Sequence, residues 1–206
     1  MCRVVLALCV SLLLPGCSSN LGTVTSGLTG GSGVPSESAR SSPKAAKLAK
    51  LDDHAPVGTF EKAPKGALSD RDYSGTRLEP QRALDLVNAY RKSKGLKPLT
   101  LDTRLTDTAK GHSRDLAKWD RISHYGSDGS NPWDRVKRAG YNARLAAENV
   151  GTGQATIDEA FKGWQESPGH NKNLLLPDAT QLGIALVQDP KTEFKTFWTM
   201  VLATPL

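Results

Sequence analysis

Cysteine is scarce in this 206-residue sequence, and all three cysteines, Cys2, Cys9 and Cys17, lie in the first 17 residues. No disulfide can therefore cross-link the body of the chain, and a four-cysteine zinc cluster is excluded. Acidic residues are in the minority, with 21 against 27 basic residues, which gives a net charge of +6. The basic residues nevertheless form no dense stripe like that of a nucleic-acid-binding domain, so we expect no nucleic-acid partner.

Long hydrophobic runs are absent after the N-terminus. The run at residues 4–14 follows Arg3 and is too short to span a bilayer, which is typical of a signal peptide. It ends in the sequence LPGC, which resembles the lipobox of bacterial lipoproteins. That resemblance implies that residues 1–16 are removed, that Cys17 is acylated, and that the lipid bilayer is a partner. The alternative is an ordinary signal peptide that is cleaved nearby, with Cys17 incidental.

Residues 17–79 are predicted to form a flexible tether. Residues 18–33 carry no charge and are rich in Ser, Gly and Thr, and residues 52–80 contain recurring Pro and Gly without a hydrophobic period. We expect the latter to wrap loosely around a domain or to stay disordered. Cys17 is followed by two serines rather than by Asp, the residue that retains inner-membrane lipoproteins in enteric-type bacteria. In an organism with two membranes we therefore expect outer-membrane anchoring, with the domain in the periplasm or outside the cell.

Residues 80–206 show the periodicity of a folded domain. Apolar stripes predict helices over residues 80–94 and 102–119, Asn131-Pro132 predicts the start of a third, and a capping box at residues 156–159 starts a fourth that ends at Ser167-Pro168-Gly169. Residues 182–187 and 196–203 are predicted to be the two strands of a hairpin. Early helices followed by a late hairpin favour an α+β fold.

Three motifs between these elements carry the polar side chains that are suited to chemistry. They are Ser123-His124-Tyr125 followed by Asp128-Gly129, the sequence AENV at residues 147–150, and WQESPGH at residues 164–170. Together with VNAYR at residues 87–91 and LGIAL at residues 182–186, they resemble the CAP superfamily of cysteine-rich secretory, antigen-five and pathogenesis-related proteins, in its short bacterial form. The resemblance covers residues 83–202. It implies an α-β-α sandwich with a central, largely antiparallel sheet flanked by helices, so that residues 80–206 form the CAP (SCP-like) domain.

The resemblance also implies a surface cleft that contains two histidines and two glutamates. His124 matches the first family histidine, Glu148 the first glutamate, and His170 the second histidine. The position of the second glutamate falls on Ser167, and Glu166 lies one residue earlier. The sequence therefore predicts either an incomplete set of four or a set in which Glu166 reaches the cleft from a shifted position.

Two imidazoles that converge in a cleft can share a divalent metal such as zinc, and a nearby carboxylate can orient them. His124 and His170 are the predicted metal ligands. With at most three protein ligands, such a site would be exchangeable rather than structural. The alternative is that both histidines hydrogen-bond to Glu148 and only brace the loops.

Other candidates have simpler explanations. His112 lies on the apolar face of its helix and is predicted to be a buried, hydrogen-bonded core residue. Ser123 beside His124 would point the opposite way on an extended segment, and Ser167 is more typical of a turn that ends a helix. Core positions are predicted for Trp119, Trp164 and Trp198, whereas Trp133 is less constrained.

The sequence thus favours a secreted, lipid-anchored binding or interaction module of the cell envelope over an enzyme, with an unknown small ligand or envelope component as its partner. Within the family, the resemblance implies metal binding, sterol or lipid binding, and host or envelope interactions. The alternatives are a metal-assisted hydrolase that uses His124, Glu148 and His170 on cell-wall or peptide substrates, and a purely structural envelope protein.

Overall fold

The computed structural model describes residues 60–206, so the predicted signal peptide, Cys17 and residues 17–59 of the tether lie outside the described residues. None of the helices in the described part is long and apolar enough to cross a membrane. In chain order the elements are α1 (Pro80–Ser93), β1 (Thr100–Leu101), α2 (Thr103–Trp119), α3 (Pro132–Arg138), β2 (Ala143–Thr152), α4 (Ile157–Glu166), α5 (Pro168–Leu174), β3 (Gln181–Gln188) and β4 (Thr196–Pro205).

The helix boundaries follow local signals in the sequence. At the start of α2, the Asp102 carboxylate accepts the backbone N–H groups of Arg104 and Leu105. At the end of α1, Lys94 is the C-cap and Gly95 takes φ +72°, a left-handed conformation that stops the helix. These contacts explain why the ends of both helices could be predicted to within one residue.

The two shorter predicted helices also begin at their capping residues. The Asn131 side chain accepts the N–H of Asp134, whose carboxylate accepts the N–H of Asn131, so α3 has a reciprocal capping box. In α4, Thr156 accepts the N–H of Glu159 as predicted. The Glu159 carboxylate, however, accepts the N–H of Ala155 rather than that of Thr156, so the second half of that box is displaced by one residue.

The four strands form one mixed sheet in the order β1-β3-β4-β2. The predicted hairpin of β3 and β4 is antiparallel, β4 and β2 are antiparallel, and the two-residue β1 pairs with β3 in parallel. The expected α+β class with a largely antiparallel sheet is therefore confirmed. The sequence did not predict two of the strands or α5. β1 is too short to show a period, and β2 contains the AEN motif. Pro168 follows the end of α4, as predicted, but it also begins α5.

Helices cover both faces of the sheet. One apolar cluster joins α1, α4 and α5 to the strands, and a second joins α2 and α3 to the opposite face. At Gly183 in β3 the backbone of α2 comes so close that a Cβ atom would lie 2.1 Å from the carbonyl carbon of Leu105. This glycine of the LGIAL motif therefore allows α2 to lie directly on the sheet.

The tryptophans only partly follow the predicted core assignment. Trp164 and Trp198 are buried, as expected. Trp119 is not a core residue: half of its surface is exposed, with Lys118 Nζ 5.5 Å from the ring centroid. The apolar stripe of α2 does reach Trp119, but the helix ends at this residue and the indole extends beyond the packed part of the stripe.

The segment before α1 contacts the domain at several points. Glu61 forms a β-bridge with Ile122, Arg71 forms an ion pair with Glu159, and the Tyr73 hydroxyl donates to the carbonyl of Gly153. The packed unit therefore extends upstream of Pro80, the start that we expected from the hydrophobic pattern. The bridge is made by backbone groups and the other two contacts by long polar side chains, so none of them leaves an apolar period in the sequence.

Candidate functional site

The sandwich carries a cavity of about 420 Å³ between α3, β2 and α5. Three of the predicted cleft residues line it: His124 from the loop after α2, Glu148 from β2 and His170 from α5. The other lining residues are Tyr125, Asn131, Pro132, Trp133, Ala146, Ala147, Gly169, Lys172 and Asn173. The fold thus brings together side chains that are far apart in the sequence.

Glu148 is the buried centre of this arrangement. Its Oε1 atom accepts a hydrogen bond of 2.9 Å from Nδ1 of His124, and its Oε2 atom accepts one of 2.8 Å from Nη2 of Arg135. Burial by itself raises the pKa of a carboxyl group, but the neighbouring His112 ring, the positive charge of Arg135 and the hydrogen bond from His124 outweigh it and hold the pKa of Glu148 below its usual range. Glu148 is therefore ionised, and His124 carries a proton on Nδ1.

Arg135 has a positioning role that sequence reasoning missed. The capping box places it in the first turn and a half of α3, where Nη1 donates to the carbonyl of Ser130 at 2.7 Å. Its Nη2 atom also donates to the carbonyl of His124 at 3.0 Å, so one guanidinium holds both the carboxylate and the histidine backbone. Nothing in the local sequence of Arg135 indicates a partner in β2.

His112 is buried, as predicted, but it also belongs to this network. Its Nε2 atom donates to the carbonyl of Ser123 at 2.7 Å and lies 3.6 Å from Oε1 of Glu148. The Nδ1 atom is buried and has no hydrogen-bond partner among the described residues. Burial lowers the pKa of His112, although the charge of Glu148 opposes that effect. The ring is therefore neutral, with its proton on Nε2.

This state of His112 leads to a pH-dependent stability. Because the pKa of His112 is lowered in the fold, the unfolded chain binds the extra proton more readily, so stability is lost as the pH falls below about 6.5. Between pH 7.5 and 5.5 the wild type should lose more of its free energy of unfolding than H112Q, whose amide can still donate to Ser123. Urea unfolding at both pH values measures this difference. Equal losses in the two proteins would show that the pKa of His112 is not lowered in the fold.

His170 faces His124 across the cavity, with ring centroids 6.3 Å apart and planes at 62°. Asparagine side chains fix α5, which carries His170, against β2. Asn149 donates through Nδ2 to the carbonyl of His170 at 3.1 Å, and Asn173 donates to the carbonyl of Glu148 at 3.0 Å. Asn149 of the AEN motif is thus a residue that positions α5.

Glu166, the candidate for the second glutamate, does not line this cavity. Its side chain is 68% exposed on α4, and its carboxylate lies 3.8 Å from Nζ of Lys162 in the preceding turn. Ser167 is the N-cap of α5 and makes no capping hydrogen bond with its side chain. Ser123 accepts the backbone N–H of Tyr125 through Oγ, and so serves the loop and not His124.

The donor set available to a metal ion is correspondingly small. Among residues 60–206, no group of three or more His, Cys, Asp or Glu side chains is arranged to hold an ion. Both oxygens of Glu148 already accept hydrogen bonds, so its role is to orient His124 and not to bind an ion directly. His124 and His170 are the two histidines that line the cavity.

Curated proteins with similar sequences come from Bacillus subtilis (strain 168). The uncharacterized protein YkwD is 30% identical over 152 residues, which cover 74% of this chain and 59% of that protein. The uncharacterized membrane protein YlbC is 31% identical over 121 residues, covering 58% of this chain and 35% of that protein. The chain therefore spans little more than half of the first relative and about a third of the second.

Solved structures show the same fold. The crystal structure of an extracellular protein containing an SCP domain from Bacillus anthracis has a TM-score of 0.54 and 31% sequence identity, over 60% of this chain and 39% of that one. An outer surface protein from Borrelia burgdorferi has a TM-score of 0.56 at 17% identity, over 72% of this chain and all of that one. The profile of the cysteine-rich secretory protein family, CAP, matches residues 84–202. The chain therefore belongs to the CAP family, and residues 84–202 form its CAP (SCP-like) domain.

Proposed function

We propose that this protein is a lipid-anchored binding module of the cell envelope, and that its cavity takes a divalent cation between His124 and His170. The observation that carries the metal part is the contact between Nδ1 of His124 and the buried Glu148 carboxylate. With its proton held on Nδ1, the imidazole has its lone pair on Nε2, the form in which histidine binds zinc. A divalent ion bound here would act as a Lewis acid and would coordinate an oxygen or nitrogen atom of a ligand.

The spacing of the two rings is compatible with this proposal. Imidazoles that bind one zinc ion at ordinary Zn–N lengths have ring centroids about 5–6 Å apart. The 6.3 Å between His124 and His170 is slightly longer, so a small side-chain adjustment would suffice. Two protein ligands would make an exchangeable site.

A binding role is better supported than a metal-assisted hydrolase. Such a hydrolase needs a carboxylate or another base beside the ion to take a proton from the attacking water. Glu148 is held by Arg135 and His124, and Glu166 points away from the cavity. No other Asp or Glu among the described residues lines the cavity.

Calorimetric titration of Zn²⁺ into the purified protein tests the metal proposal. We expect H124A and H170A each to weaken binding by at least about tenfold, since each removes one of two protein ligands. E166Q is the control and should bind like the wild type, because Glu166 lies outside the cavity. Binding that is unchanged in the double variant H124A/H170A would refute the proposed site. Chelator-sensitive turnover of peptidoglycan or peptides would instead favour the hydrolase.

Membrane anchoring through Cys17 is a separate part of the proposal and lies outside the described residues. The LPGC motif supports it, and each buried methylene of an acyl chain adds about 0.8 kcal/mol of membrane affinity. C17S should move the exported protein from the membrane fraction to the soluble fraction, whereas C9S in the predicted signal peptide should not. Equal membrane fractionation of C17S and the wild type would contradict acylation at this residue.

A further inference from the structure

Trp133 is an exposed tryptophan that neither the core nor the proposed metal site explains. It lies in the first turn of α3, directly after Pro132, and 44% of its surface is exposed. Its indole lines the cavity that contains His124 and His170, and it also lines a second cavity of about 160 Å³. Trp133 therefore stands between two neighbouring cavities and belongs to the wall of both.

The two cavities follow the edge strand β2. Ala147 and Ala146 line the first, and Ala143, four residues from Ala147, lines the second. Since β2 is the last strand of the sheet, this edge is not covered by another strand among the described residues. Residues 143–147 span about 13 Å at the rise of a strand. The two cavities share Trp133 in their walls and follow the same strand, and together they are called the groove below.

The chemistry of the groove is that of a saccharide site. An exposed indole offers a flat apolar surface for the C–H face of a pyranose ring. Amide groups that can exchange hydrogen bonds with hydroxyls stand on both sides of it, Asn131 in the first cavity and Asn142 in the second. An aromatic surface bordered by amides fits a sugar ring better than it fits a purely apolar ligand.

The charges in the groove favour an acidic ligand. Lys172 lines the first cavity and Lys137 the second, one on each side of Trp133. Among the described residues, Glu148 is the only acidic side chain in either lining, and its charge is offset by Arg135 at 2.8 Å. Each of the two cavities therefore has one lysine in its wall.

We infer that the groove across Trp133 binds a linear, acidic polysaccharide, one sugar of which stacks on the indole while its carboxylate groups face Lys137 and Lys172. This inference rests on the proposed binding role of the cavity and names the class of ligand, but it does not need a bound metal. A linear chain fits because the groove is open along the sheet edge and because Trp133 separates two places where neighbouring sugars could lie.

Titration calorimetry of the full chain in detergent tests the inference, with a chelator present so that metal binding plays no part. The probes are a hyaluronan hexasaccharide, which is acidic, and chitohexaose, its neutral counterpart. We expect the acidic probe to bind more tightly than the neutral one, and its affinity to fall with added salt. W133A should weaken binding of the acidic probe by about tenfold, and W133F, which keeps an aromatic ring, should recover most of the affinity.

W119A is the matched control, because Trp119 is similarly exposed and also lies beside a lysine but lines neither cavity. It should bind like the wild type, and K137A/K172A should lose the preference for the acidic probe. The inference is overturned if neither oligosaccharide binds, if W133A and W119A bind equally well, or if the neutral probe binds as tightly as the acidic one. The zinc titration separates the two proposals, since zinc binding without oligosaccharide binding would refute only the ligand class.

Discussion

R135A should lower the free energy of unfolding by about 3–5 kcal/mol, the usual cost of breaking a buried ion pair by removing one partner. Glu148 is almost fully buried, and without the guanidinium its charge would keep only the hydrogen bond from His124 and the nearby ring of His112. The same substitution also removes the hydrogen bonds that Arg135 donates to the loop carrying His124. We therefore expect zinc binding to weaken together with stability.

R138A provides the control, one turn later in the same helix. Its ion pair with Asp128 is more than half exposed on both sides, so its loss should cost no more than about 1 kcal/mol. Guanidinium chloride unfolding of the two variants at pH 7.5 measures both values. Equal stability of R135A and R138A would show that the buried ion pair of Arg135 and Glu148 does not stabilise the fold more than an exposed one.

R91M should lower the free energy of unfolding at least as much as R135A, by about 4 kcal/mol or more. Several buried carbonyls would lose their hydrogen-bond donor, and each such loss costs about 1–3 kcal/mol. Arg91 is fully buried at the end of α1, and its guanidinium donates to four backbone carbonyls, those of Lys97, Leu174, Leu176 and Ala179. Methionine fills a similar volume but donates no hydrogen bond. One side chain thus joins the first helix to the segments that follow α1 and α5.

R82M is the matched variant within α1. Arg82 pairs with Asp158 in an ion pair that is about half exposed, so its replacement should change stability by less than about 1 kcal/mol. Thermal or denaturant unfolding compares the two proteins directly. A stable R91M protein would show that water replaces the guanidinium at these carbonyls. R91K should be intermediate, because an ammonium group has three donors and no fork with which to reach four acceptors.

The family resemblance of the motifs around His124, Glu148 and His170 implied that these side chains share one cleft, and in the structure they line one cavity. The sequence could not predict the partners of Glu148. Arg135 lies 13 residues before it on a separate helix, and such a pairing leaves no periodic trace between the two positions. The role of His112 was hidden for the same reason, because a histidine on an apolar stripe predicts burial but not its neighbours.

The sequence by itself determined the starts of the first four helices, the hairpin and the order of motifs that indicates the family, because capping residues, apolar periods and turns act over a few residues. Only the tertiary structure decided that β2 is the edge strand, that Glu166 points away from the cavity, and that Trp119 is exposed where α2 ends. These outcomes depend on which surfaces meet after the chain has folded. Exposure, pairing and charge compensation are properties of those surfaces, and residues far apart in the sequence create them together.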